Sequence, residues 1–260
     1  MLGLDPEKEK PFDPNWVSPD KDAALRSQRI LISIIGLTAI LLPPAVVIVD
    51  RFAPSPCFRD SLSHYFYSQR AGVVFVMTLA FIGTLLSSYR AEARFVRRLA
   101  IVAGMAGLLV AVFPTEGPGC TEAAFTARMF GSINAETPMV VFATAFILFP
   151  GVGTIHYIAA FVLFAIMLYF CAIVFRRSGA QDRDPDTQAL LVVKRKRNRI
   201  YAACALVIAA AMIVMGLSQI DAISGYFSQR VILYGEAVAL WAFGIAWLVK
   251  GRLFDTSLGA

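Results

Sequence analysis

Only two histidines occur in the chain, His64 and His156, and each stands where a polar segment meets a long apolar run. Around the first lies RDSLSHYFYSQR, residues 59–70, which gathers Arg59, Asp60, Ser63, His64, Tyr67 and Arg70. Arg230 opens a later apolar run, RVILYGEAVALWAFGIAWLVKG, and Glu236 lies about two helical turns inside it. Three kinds of chemistry are open to such a set. Arginines fork onto phosphate or carboxylate while tyrosines form a wall. His64 and His156 with Glu236 or Asp60 match catalytic zinc in ligand number, with water as fourth ligand. An acid at depth, with histidines near it, is also the material of a proton relay, because a buried carboxylate must be paired, hydrated or protonated.

These residues need elements to hold them, and composition says which. The 260 residues are 58% hydrophobic and 16% charged, with a mean hydropathy of +0.66, too apolar for an ordinary soluble domain. Apolar runs at 30–50, 71–88, 98–114, 155–175, 200–218 and 230–249 are each about long enough to cross hydrocarbon as a helix. Runs such as ILISIIGLTAILL do not alternate as barrel strands would. The expected fold is therefore all-α, a polytopic bundle of six transmembrane helices. It divides into a polar tail at 1–29, the six-span domain at 30–250 and a short tail at 251–260. Residues 1–29 show no apolar core or cleavage site, so the first span is expected to act as the targeting signal.

Orientation follows from charge. Of the 24 Lys and Arg residues, all but five fall in the segments on one side of these spans, namely 1–29, 89–98, 176–199 and the C-terminus. The positive-inside rule puts both termini in the cytosol. The net charge of +6 is then mostly topological and not a nucleic-acid footprint; KRKRNR at 194–199 would meet anionic headgroups. PMVVFATAFILFP at 138–150 is too short to span between its prolines, and reads as an outer re-entrant flap or, equally, a hairpin.

The polar candidates all fall at the outer ends of the spans. Tyr65, Phe66 and Tyr67 also suit an interfacial aromatic belt. No lysine lies inside a span, which argues against a retinal Schiff base. Both histidines sit too near the helix ends for a transmembrane haem. Cys57 and Cys120 share the outer loops and are expected to form a disulfide, whereas Cys171 and Cys204 lie in spans as small apolar residues. Pro43 and Pro44 should kink or unwind the first span. Gly104, Gly107 and the alanines of YAACALVIAAAM permit close helix approach.

SLSHYFYSQR opening span two, VFPT at 112–115, HYIAAFVLF at 156–164 and EAVALWAFGIAWLVKG in span six resemble a bacterial family of multi-pass membrane proteins of uncharacterised activity. That resemblance implies topology and an inner-membrane location, and little chemistry. A more distant likeness, on Asp60, Ser63, His64 and His156, is to the alkaline ceramidase and adiponectin-receptor superfamily. Those are seven-span hydrolases whose zinc is held by three histidines; two histidines depart from that pattern.

The leading expectation is an outer-leaflet polar pocket for a lipid headgroup or small anion, lined by Arg59, Asp60, Ser63, His64, Tyr67, Arg70, His156, Arg230 and Glu236. The alternatives are a metal-dependent lipid hydrolase of amidase type, with zinc on His64, His156 and a carboxylate, and a proton-coupled solute transporter. The cofactor stays open between none and zinc. Expected partners are membrane lipids, with homo-oligomerisation left open and nucleic acid excluded.

Overall fold

The computed structural model describes residues 19–53, 56–68, 70–91, 93–113, 115, 152–179 and 182–253. The flap segment at 138–150 and Cys120 lie outside the described residues. The helices are α1 (Pro19–Asp50), α2 (Ala71–Ser87), α3 (Arg94–Val112), α4 (Val152–Tyr169), α5 (Val192–Leu217), the single-turn α6 (Asp221–Ser224) and α7 (Val231–Lys250). A 3-10 helix at Ser63–Tyr67 precedes α2, and a π-helical turn at Phe170–Val174 prolongs α4. Among the described residues there is no strand, only a bridge between Arg183 and Leu190.

Five stretches are long and apolar enough to cross a membrane: Ala23–Asp50, Arg94–Val112, Gly153–Val174, Val192–Leu217 and Val231–Lys250. Ala71–Ser87 is equally apolar but has 17 residues, a rise of about 26 Å. The bundle's outer surface is apolar as well. Leu206 is 72% exposed and Met77 66% exposed, a surface that lipid solvates and water does not.

Neighbouring helices close a ring in the order α1, α2, α3, α4, α5, α7 and back to α1. Two of these contacts depend on glycine. A Cβ on Gly36 would stand 2.7 Å from the Gly244 carbonyl oxygen, and one on Gly244 would stand 2.6 Å from that of Gly36. Gly83 and Gly104 meet in the same way between α2 and α3. In lipid, where association depends on packing and not on expelling water, such close backbone approach is a main source of helix affinity. Gly107 is in ordinary contact with Gly83 and contributes less.

Four expectations need correction. The first helix starts at Pro19, well before residue 30, and runs through Pro43 and Pro44 without unwinding. Pro44 has no N–H for the Ile40 carbonyl, and the Trp241 indole N–H of α7 donates to it instead, at 3.0 Å. Tyr65 is no belt residue: it is fully buried, its hydroxyl accepts from the Arg59 N–H at 3.4 Å, and burial pushes its phenol pKa above the ordinary value. The first residue of KRKRNR does not reach for headgroups either. Lys194 is buried, and its Nζ donates to the carbonyls of Phe175 (3.2 Å) and Arg177 (2.7 Å), with Asp182 3.8 Å away.

That end of the ring is densely packed. Trp247 stacks on Phe170 at 6.0 Å and meets Tyr89, Phe175 and Phe243 at 5.2, 5.5 and 5.4 Å between ring centroids. Lys250 lies over the Phe175 ring. Gln28 donates to the Arg90 carbonyl, and a Cβ on Gly251 would touch the Arg29 carbonyl, so the start of α1 and the end of α7 share this end.

Candidate functional site

At the opposite end the chain between α1 and α2 folds inward and is stitched to α7. The first turn of any helix has N–H groups without intrahelical partners. In α7 one of them, on Leu233, donates to the Asp60 carbonyl at 2.9 Å. Arg230 Nε donates to the Phe58 carbonyl at 3.3 Å, and its guanidinium lies 5.1 Å over the Phe58 ring. One turn further in, Glu236 Oε2 accepts from the Ser61 hydroxyl (2.9 Å) and the Leu62 N–H (2.7 Å). The Ser61 oxygen in turn accepts from the Ser63 N–H at 3.1 Å. The acid inside the apolar run is thus answered by backbone and serine donors, not by a histidine or arginine.

The 3-10 helix that follows brings Ser63 to α4. Ser63 Oγ and His156 Nε2 are 2.9 Å apart, and His156 Nδ1 is 2.6 Å from the Phe113 carbonyl at the end of α3. A carbonyl oxygen only accepts, so in the neutral ring Nδ1 carries the proton and Nε2 accepts from the Ser63 hydroxyl. Tyr67 donates to the Thr115 carbonyl at 2.5 Å, tying the same segment to the chain beyond α3. The turn is seated closely, since a Cβ on Gly72 would collide with the Phe66 carbonyl oxygen.

A cavity of 840 Å³ opens beside these groups. Asp60, Ser61, Ser63, His64, Thr115, His156, Gln219, Gln229 and Glu236 form its polar part. Tyr157, Ala160, Phe161 and Phe164 of α4, Met212 and Met215 of α5, and Ile232 of α7 form its apolar part. It lies in the loosest seam of the ring, where α4 meets α5 and α7. Gly235 leaves room for Met215 there: a Cβ on it would stand 2.5 Å from Met215 Cγ.

Of the residues singled out from sequence, Asp60, Ser63, His64, His156 and Glu236 share this wall. Arg59, Tyr67, Arg70 and Arg230 are not among its lining residues. Arg59 is buried and Arg70 is exposed just ahead of α2; the described lining contains no arginine. Among the described residues no three His, Cys, Asp or Glu side chains are grouped to hold a metal ion, and both ring nitrogens of His156 face protein partners. Cys171 and Cys204 are free and buried.

Sequence reasoning passed over Ser61 and the apolar walls. Positions 157, 160, 161 and 164, and likewise 212, 215 and 216, follow the spacing of one helix face, but apolar faces are everywhere in such a chain.

The fold and site together define an all-helical bundle with membrane-length helices and an amphipathic cavity in one seam. Comparison with family models, curated proteins and solved structures finds no match to this chain.

Proposed function

We propose that the chain is a six-span protein of the bacterial plasma membrane, with both termini in the cytosol, that binds an amphiphile in the seam cavity. α2 counts as the sixth span because it connects the end of α1 to the start of α3, at opposite ends of the ring. The bilayer accommodates a helix this short by thinning or by reduced tilt, at modest cost. Reporter fusions at residue 185 read cytosolic and at residue 226 external under this topology; a cytosolic signal at 226 overturns it. The two outer cysteines, Cys57 and Cys120, are proposed to be linked, and intact-mass measurement without reductant checks the two-dalton difference.

The observation that carries the binding reading is the split character of the cavity wall. Phenylalanine and methionine side chains suit an acyl or alkyl chain, with methionine adapting to irregular shapes. Serine, glutamine, histidine and carboxylate groups suit a head rich in hydroxyls or amides. With Asp60 and Glu236 on the wall and arginine off it, a small anion is the poorer fit. Protein purified in mild detergent is expected to carry about one amphiphile of a single class per chain in lipid mass spectrometry, and Ala160→Trp, which fills the seam, is expected to lose it. Retention unchanged in Ala160→Trp overturns the reading.

A further inference from the structure

We propose that Ser63 and His156 are a nucleophile and its general base, and that the ligand class they act on is a carboxylic ester carried by an amphiphile. This inference rests on the amphiphile-binding reading of the cavity. A serine hydroxyl is a weak nucleophile until a base within hydrogen-bond reach takes its proton, and the base must itself be oriented by a third group. All three parts are present. Ser63 Oγ is 2.9 Å from His156 Nε2, and the Phe113 carbonyl holds Nδ1 at 2.6 Å. Three separate elements meet to make this contact: the 3-10 helix, α3 and α4.

The pair also has access and support. Both residues line the cavity, so a bound ester can bring its carbonyl carbon to Oγ. Glu236 is a positioning residue here. By accepting from Ser61 and Leu62 it fixes the residues just before Ser63 on the first turns of α7, and its carboxylate is also within side-chain hydrogen-bond reach of Ser63 itself. What sets this hydrogen bond apart from one that merely satisfies a buried imidazole is the cavity beside it, which both residues line.

In the reaction Nε2 takes the Oγ proton as Oγ bonds to the ester carbon. The bond from that carbon to the alkoxy oxygen breaks, and His156 returns the proton to the leaving alcohol. Water then adds to the acyl-serine with Nε2 again as base, releasing the carboxylic acid and restoring Ser63; the sum is ester plus water giving acid plus alcohol. Charge on the carbonyl oxygen must be met by donors. The Leu62 and Ser63 N–H groups are committed to Glu236 and Ser61. On the same wall are the side-chain amides of Gln229 and of Gln219, whose nitrogen also donates to Ser218 Oγ at 3.1 Å, a sparse set that makes turnover slow and single-turnover labelling the better readout.

The test treats the purified full chain with an alkyl fluorophosphonate, which transfers its phosphonyl group to an activated serine with loss of fluoride. Peptide mass spectrometry is expected to place the label on Ser63. Ser63→Ala should remove it in protein that still folds, and His156→Gln should slow labelling about 10²–10⁴-fold. Unlabelled Ser63 in wild-type protein that carries its amphiphile overturns the nucleophile and leaves the binding reading intact. Labelling equally fast in His156→Gln overturns the base. Labelled Ser63 in protein that never retains an amphiphile supports the pair and overturns the binding reading.

Discussion

The two ends of the ring are built on opposite plans. Around Trp247 the interior is aromatic, with rings from α7, the π-helical turn after α4 and the chain after α2 in edge or stacked contact. Lys194, buried there, donates to two carbonyls and faces Asp182. Around Ser63 the interior is polar, held by loop-to-helix hydrogen bonds, and it leaves a cavity where α4 stands off from α5 and α7. Rigidity at one end lets the other be open: a seam where helices stand apart cannot also supply the packing that holds the ring together.

The largest expected effect breaks the packed end. Trp247→Ala removes a fully buried indole from four ring contacts, and lost burial together with the cavity left behind makes a loss of about 3 kcal/mol expected. Phe164→Ala, on the cavity wall, should cost about 1 kcal/mol, because its site is already partly empty. Thermal unfolding in detergent ranks the two, and equal losses would erase the contrast between the ends.

Glu236→Ala tests what the polar end depends on. It strands the Ser61 hydroxyl and the Leu62 N–H, at about 2 kcal/mol. Hydrogen exchange should rise across 58–67 and stay unchanged across 240–250. Glu236→Gln keeps an acceptor and should show the milder change. Exchange rising at both ends would mean that the carboxylate braces the whole ring.

The smallest effect concerns the bridge between the plans. Trp241→Phe keeps an aromatic ring and removes only the donor to the Ile40 carbonyl, an expected loss of about 1 kcal/mol. It should appear as faster exchange in α1 around Pro43 and Pro44, with the cavity's ligand retained. Loss of the ligand would show that the two ends are coupled through α1.

Much of the scaffold was legible in one dimension. Helix positions follow from the length of apolar runs, since crossing hydrocarbon demands about 20 such residues with backbone bonds closed within the segment. The placement of His64, His156 and Glu236 near one end also follows, by counting residues in from each run's edge. The reach of α1 back to Pro19 was hidden because residues 19–29 are polar, and a helix needs no apolar face where it leaves the bilayer.

What tertiary structure alone decided is partnership. Ser63 and His156 lie 93 positions apart, and Trp241 lies 201 positions from the carbonyl that Pro44 orphans. Hydropathy sets how deep a residue sits, but the rotation of each helix about its axis sets which residue it faces. Rotation is fixed by packing, at Gly36 against Gly244 and Gly83 against Gly104. Arg59, Tyr67 and Arg70 belong to the segment between α1 and α2, and Arg230 precedes α7; the fold of that segment leaves them off the cavity wall. Depth is a property of each segment with the bilayer and can be read from the segment; facing is a property of two segments together and exists only once they pack.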